Sequence, residues 1–253
     1  MKAFWRISFC VILPSAVLLS ACQSQPSKTS VDNSAAKSTS QASESGVVEH
    51  VLDNGLKILI KPDHRAPVVV SQVWYKAGSS YEKNGTTGVA HVLEHMMFKG
   101  TKTLEPNEFS RIISANGGRE NAFTGPDYTA YFQQLEKSRL PISFKLEADR
   151  MQNLVLSDEE FAKEIKVVME ERRMRTDDKP QSQTYEQFAA TAFVNSPYHH
   201  PIIGWMDDLE NMTADDAREW YRSYYGPNSA TVVVVDDVDP QEVIREAKNI
   251  FGR

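Results

Sequence analysis

Residues 87–98 read TGVAHVLEHMMF, and this stretch decides how the surrounding chain must fold. Val89, Ala90, Val92, Leu93, Met96 and Met97 supply apolar surface nearly all round one helix, so Thr87 to Phe98 is predicted to be a buried helix. A buried helix needs covering layers, and the flanking sequence provides them. Upstream, Val47–Leu52, Leu56–Lys61 and Val68–Tyr75 are short runs rich in β-branched and other apolar residues, and Asn54-Gly55 between the first two is a strong hairpin signal. Gly78 to Gly85 reads as a loop. Downstream, Pro106 opens a helix through Ile113 that Gly117-Gly118 ends, and Arg119–Thr124 and Thr129–Leu135 read as strands. Helical patterns follow at about 139–152, 158–176 and 182–194, with Asn195-Ser196-Pro197 breaking the last. Thr213 caps a helix to Tyr224, Ala230–Val235 is a buried strand, and Asp239-Pro240 opens a final helix to Phe251. Strands, then helices, then a strand and a helix predict an α+β domain over residues 47–253: a mixed or antiparallel sheet packed against several helices. No internal repeat is visible.

The same helix carries polar residues that its apolar surface does not explain. His91 and His95 are four apart and lie on one face, one turn from each other. Two imidazoles at that spacing can grip one zinc ion. Glu94 leans toward the same face and can sit beside a metal without binding it, where a general base belongs. His-x-x-Glu-His is the reverse of the commoner zinc-peptidase motif. A satisfied core cluster is the plainer reading, but two His and a Glu in so apolar a helix are costly without a partner. Glu171 offers a third ligand. It lies two turns beyond Glu164 on a predicted helix, with Ile165, Val168 and Met169 turning that face inward. Glu164 is the candidate for orienting a ligand His, and Glu170, rotated about 100° away, reads as a solvated charge.

With these residues in place the chain resembles the pitrilysin/insulinase family of zinc metallopeptidases, most closely its bacterial, mitochondrial-processing-peptidase-like branch. The segment from Gly88 to Thr101 looks like the family's metal helix and its exit. His95 and Glu171 have 75 residues between them (96–170), matching the family's spacing. Gly117-Gly118 with Asn121-Ala122-Phe123-Thr124, Val168-Met169-Glu170-Glu171 with Met174-Arg175, and the run from Pro197 to Gly204 resemble further landmarks in order. The resemblance implies zinc ligands His91, His95 and Glu171, one zinc ion per domain, Glu94 as the base, and Glu164 as a supporting carboxylate. It also implies that Asn121 and Ala122 lie on an edge strand that pairs with extended peptide. An exposed edge offers main-chain hydrogen bonds to any extended chain, which agrees. His199 and His200, between Pro197 and Pro201, read as loop residues rather than ligands. The expected reaction is hydrolysis of peptides or unfolded polypeptides by a metal-activated water.

The amino terminus reads as an address. Lys2 and Arg6 precede an apolar run from Phe9 to Leu19, and Leu19-Ser20-Ala21-Cys22 resembles a lipobox. Residues 1–21 are therefore expected to be removed and Cys22 acylated. Residues 23–46, one third Ser and without an aromatic residue, would tether the domain to a membrane surface. The expected location is the periplasmic side of a bacterial membrane, with Gln23 after the Cys favouring the outer one. The net charge is −6, and cleavage would make it two units more negative. No basic excess is present to recruit nucleic acid.

Family enzymes close a chamber from two related halves, and this sequence stops at Arg253, near where a first domain would end. A second homologous half or a partner subunit is therefore expected. The competing function is a lipid-anchored, non-catalytic peptide-binding or assembly module with a structural or vestigial zinc site. Glu94 argues against it, since a structural site needs no base.

Overall fold

The computed structural model describes Gln41–Ala42 and residues 46–252. The expected signal peptide 1–21, the acylated Cys22 and nearly all of the tether lie outside the described residues. Within them the chain forms one seven-stranded sheet in the order β1-β2-β3-β7-β4-β6-β5. Its strands are β1 (Gln41–Ala42), β2 (Val48–Val51), β3 (Lys57–Pro62), β4 (Val68–Tyr75), β5 (Arg119–Thr124), β6 (Thr129–Glu136) and β7 (Ala230–Asp236). The expected hairpin joins β2 and β3. Gly55 takes φ +87°, the left-handed value a tight turn requires, and Asn54 Oδ1 accepts the Leu56 N–H at 3.2 Å.

The sheet is mixed, as expected, but its centre is built from a late strand. β7 runs parallel to β3, with Leu59 opposite Val233, and antiparallel to β4, with Val73 opposite Val232. In β4 alternate residues are buried, and Val69, Val73 and Tyr75 are sealed from solvent. Ile58 and Ile60 of β3 and Val232 and Val234 of β7 are equally buried, which gives the sheet one apolar face.

Among the described residues eight α-helices complete the domain: α1 (Val89–Met96), α2 (Glu108–Ala115), α3 (Leu140–Asn153), α4 (Asp158–Arg172), α5 (Pro180–Ala192), α6 (Met206–Asn211), α7 (Ala214–Tyr224) and α8 (Pro240–Phe251). The apolar sides of α1, α3, α7 and α8 share one core with the sheet, and Phe144 of α3 meets Phe251 of α8 at 5.4 Å between ring centroids. Thr213 and Asp216 form a reciprocal capping box at the start of α7.

Three local readings change. Pro106 lies outside α2, because Asn107 takes φ +61° and turns the chain before the helix begins at Glu108. The helix expected to reach residue 176 stops being α-helical at Arg172 and continues as a π-type turn, Arg173–Asp177. The Gly78–Gly85 loop contains a 3-10 turn at Ser79–Tyr81 and the buried carboxylate of Glu82. Among the described residues no helix is long and apolar enough to cross a membrane.

Candidate metal centre and peptide cleft

Helix α1 is held at its amino end by carboxylates rather than by a side-chain cap of its own. Both oxygens of Glu82 accept helix N–H groups, from Gly88 at 2.7 Å and Ala90 at 2.9 Å. Asp208 takes the Thr87 N–H at 3.1 Å. Their oxygens satisfy N–H groups that the first turn of a helix leaves without partners of its own. Gly88 has φ +89°, and a side chain there would meet the carbonyl oxygen of Ile203 at 2.7 Å. The α1 entry is thus locked against the 203–204 segment, which fixes where His91 and His95 point.

The structure brings together three of the predicted site residues in one donor cluster. Ligand atoms of His91, His95 and Glu171 lie within 4.8 Å of one another. Glu171 Oε2 is 3.3 Å from His95 Nε2 and 3.7 Å from His91 Nε2. The imidazoles stand one turn apart with centroids 4.7 Å apart. Glu164 lies beneath them: its Oε1 is 2.8 Å from His95 Nδ1 and its Oε2 is 2.6 Å from Lys99 Nζ. A carboxylate at Nδ1 favours a proton on that nitrogen, and Nε2 is the ring nitrogen that faces Glu171. The Nδ1 of His91 is buried without a hydrogen-bond partner among the described residues.

Two nitrogens and one carboxylate oxygen are a donor set that suits zinc, and three protein donors leave a coordination position open. The electrostatics favour a neutral imidazole at His91 and a more basic one at His95. Burial, with His95 and Arg175 adding to it, pushes His91 down to about 3. For His95, burial pulls downward but the Glu164 hydrogen bond and the Glu171 carboxylate outweigh it, so the net shift is upward. Glu164 itself is lowered, because His95 and Lys99 overcome the effect of its burial.

Glu94 is outside the donor cluster and faces the same space. Its Oε2 accepts the Thr124 hydroxyl at 2.5 Å. Burial raises its pKa, against the opposing pull of that hydroxyl and of His95. A carboxylate raised in this way is better matched to taking a proton near neutral pH than a solvated one.

These groups open onto a cleft of about 1210 Å³, bordered by β5, the end of α4, helix α5 and the 198–203 loop. The predicted peptide-contact residues Asn121 and Ala122 lie on β5, the edge strand of the sheet, which pairs with β6 alone among the described residues. The Ala122 N–H is taken by its neighbour, Asn121 Oδ1, at 2.9 Å. His199 and His200 belong to the cleft wall and not to the donor cluster. His200 is fixed by Asn84 Oδ1 at 3.0 Å and by the Ser79 carbonyl at 3.3 Å. Glu170 is exposed and pairs with Arg173 at 3.0 Å.

Three residues at this site receive no role from the sequence: Thr124 and Arg175 stand there only within longer segments, and Glu82 only as part of a loop. Thr124 follows Ala122 by two positions and so shares its strand face, which the period of two could have shown. Arg175 lies four residues after Glu171, within reach on a helical turn. Glu82 sits in a stretch that reads as loop, and no local pattern marks it.

Residues 57–205 match the family model described as Insulinase (Peptidase family M16), and residues 211–253 match the one described as Peptidase M16 inactive domain. The seam between the two matches is not a structural boundary, since β7 from the second segment lies between β3 and β4 of the first. Among curated proteins, the chain is 42% identical over 201 residues to "Zinc protease PqqE" of Helicobacter pylori, covering 79% of this chain and 45% of that protein. Among solved structures, it is similar to a protease from Helicobacter pylori, with a TM-score of 0.79 and 41% identity over 81% of this chain and 50% of that one. The first half of the periplasmic protease PqqL from Escherichia coli matches with a TM-score of 0.77 and 27% identity over 85% of this chain and 47% of that one. The chain spans about half the length of the curated relatives it matches.

Proposed function

Because the chain belongs to the insulinase family of peptidases, family M16, we propose that it is the zinc-dependent endopeptidase domain of a protein that hydrolyses peptides or unfolded polypeptides. The observation that carries this reading is the position of Glu94. It stands outside the His91, His95 and Glu171 cluster, held by Thr124, at the head of the cleft that β5 borders.

In this reading His91, His95 and Glu171 hold the metal and Glu164 keeps His95 in the metal-binding tautomer. Zinc in that place supplies Lewis acidity, polarising a water and the scissile carbonyl. An extended peptide adds to β5 along its free edge, with Asn121 releasing the Ala122 N–H to the incoming strand. Glu94 takes a proton from the attacking water and passes it to the leaving amine.

The chain's length relative to its relatives supports action together with a second homologous half or a partner subunit that completes the cleft. A lipid anchor at Cys22 and a periplasmic location, on the outer membrane before the inner, complete the proposal. The likeness to a protein described as periplasmic supports the compartment.

The test is hydrolysis of an unstructured peptide by the zinc-loaded protein, joined to its second half or partner subunit, beside its Glu94→Gln variant in the same assembly. Zinc stays bound in both, and cleavage is lost in the variant. Equal cleavage by the two, or cleavage by neither, overturns the assignment.

A further inference from the structure

The third donor differs from the two imidazoles in one respect: a carboxylate has two oxygens and can rotate. In this structure the oxygens of Glu171 have separate tasks. Oε2 faces the imidazole nitrogens, while Oε1 is 2.8 Å from Nη1 of Arg175. Arg175 is placed there by the π-type turn that follows α4. Such turns cluster where backbone geometry serves a site.

The turn is itself pinned. Arg172 is buried and makes a two-pronged contact with Glu186 of α5, at 2.8 and 2.9 Å, and donates to the Gly204 carbonyl at 2.8 Å. Across the turn, the Asp178 N–H reaches the Arg173 carbonyl at 2.8 Å. The backbone that carries Arg175 is therefore fixed to α5 and to the segment that seats the α1 entry. The Arg175 side chain is 69% exposed, so no core packing depends on it. An exposed ion pair alone contributes little to stability. Its geometric effect on a metal donor is a separate matter.

Resting on the reading of His91, His95 and Glu171 as metal ligands, we propose that Arg175 is a positioning residue for the third of them. Its guanidinium occupies Oε1 of Glu171 and leaves Oε2 alone to face the imidazoles. It thereby lowers the entropy cost of presenting that oxygen and restricts the carboxylate to one donor atom. Charge by itself works the other way, since a cation beside a dication weakens binding. The sign of the effect therefore separates positioning from plain electrostatics.

The experiment is a zinc-affinity measurement by chelator competition, at fixed pH and ionic strength, on the full chain and its Arg175→Met and Arg175→Lys variants. Arg175→Met binds zinc about tenfold more weakly, in the range seen when a group that orients a metal ligand is removed. Arg175→Lys recovers part of the loss. The visible absorption of the cobalt-loaded protein changes in the Met variant more than in the Lys variant, while the metal-free melting temperature is the same in all three. Equal or tighter zinc binding by Arg175→Met overturns the proposal. A wild-type chain that takes up no zinc overturns it together with the metal reading. Zinc binding without peptide cleavage, in the assembly with the second half or partner subunit, sinks the peptidase reading, and the affinities alone then decide the role of Arg175.

Discussion

Thr124 Oγ1 lies 2.5 Å from Glu94 Oε2, so the edge strand of the sheet also holds the carboxylate proposed as the base. Thr124 is steadied in turn by Thr129, 3.5 Å away, which donates to the Ala77 carbonyl at 2.9 Å. A peptide that adds to β5 binds the element that orients Glu94.

Replacing Thr124 with Val keeps the shape and removes the hydroxyl. The Glu94 carboxylate is then free to rotate, and kcat for peptide cleavage falls about tenfold, a fraction of the 10²–10⁴ that general base catalysis supplies. KM and zinc content stay near wild type, and Thr124→Ser restores the rate. A Val variant with wild-type kcat shows that the contact does not position the base.

The proposed metal donors make a different prediction. Glu171→Gln keeps the volume but exchanges an anionic oxygen for a weaker, neutral one, and His91→Ala removes a nitrogen. Both lose zinc affinity by at least an order of magnitude. In the wild-type protein, zinc at about one hundred times its dissociation constant raises stability by about 2.7 kcal/mol, and chelation reverses it. Differential scanning fluorimetry with and without chelator reads this directly. A zinc-induced shift that persists in both variants places the metal elsewhere.

Between α3 and β6, Glu147 and Arg150 are both fully buried and joined at 2.5 and 2.8 Å. Gln133 donates to Glu147 at 2.6 Å, and the Arg150 guanidinium lies over the Tyr131 and Phe109 rings at 4.2 and 4.3 Å. Arg150→Met strands a buried carboxylate and costs about 3–5 kcal/mol. The double variant Glu147→Leu/Arg150→Met removes both charges and recovers much of that loss. Urea midpoints of the three proteins check the order, and a double variant no better than the single one refutes it.

What the sequence made legible was what short-range periodicity encodes. The α1 helix, the hairpin at Asn54-Gly55, the Thr213 cap and the shared face of Glu164 and Glu171 all follow from spacings of two to seven residues. The placement of β7 between β3 and β4 did not follow, because strand order depends on contacts between residues more than 150 positions apart. The π-type turn after Arg172 escaped for a related reason: Arg173–Asp177 reads as continuing helix until Arg172 is seen anchored to Glu186 and Gly204. Glu82 was invisible because a carboxylate in a loop reads as solvated until the chain folds a helix terminus onto it.

Glu82 also yields a dependence on pH. It is 6% exposed and accepts two N–H groups from the start of α1. Burial pushes it from its ordinary 4.5 up to about 8, against the pull of those two bonds and with the Asp208 charge adding to the rise. Between these values the folded protein holds a proton that the unfolded chain has released. Stability from this group is therefore complete below pH 4.5 and falls as pH rises, until it is lost near pH 8. The full span corresponds to at most about 5 kcal/mol, from 1.36 kcal/mol per unit. In Glu82→Gln the side chain stays neutral and still offers one acceptor, so this part of the decline disappears. Denaturant midpoints of metal-free wild type and variant, taken from pH 5 to 8.5, should converge at low pH, where Glu82 is protonated in both accounts. Above pH 7 the wild type should drop further than the variant. Parallel curves across the whole range show that the α1 entry is seated by something other than this carboxylate.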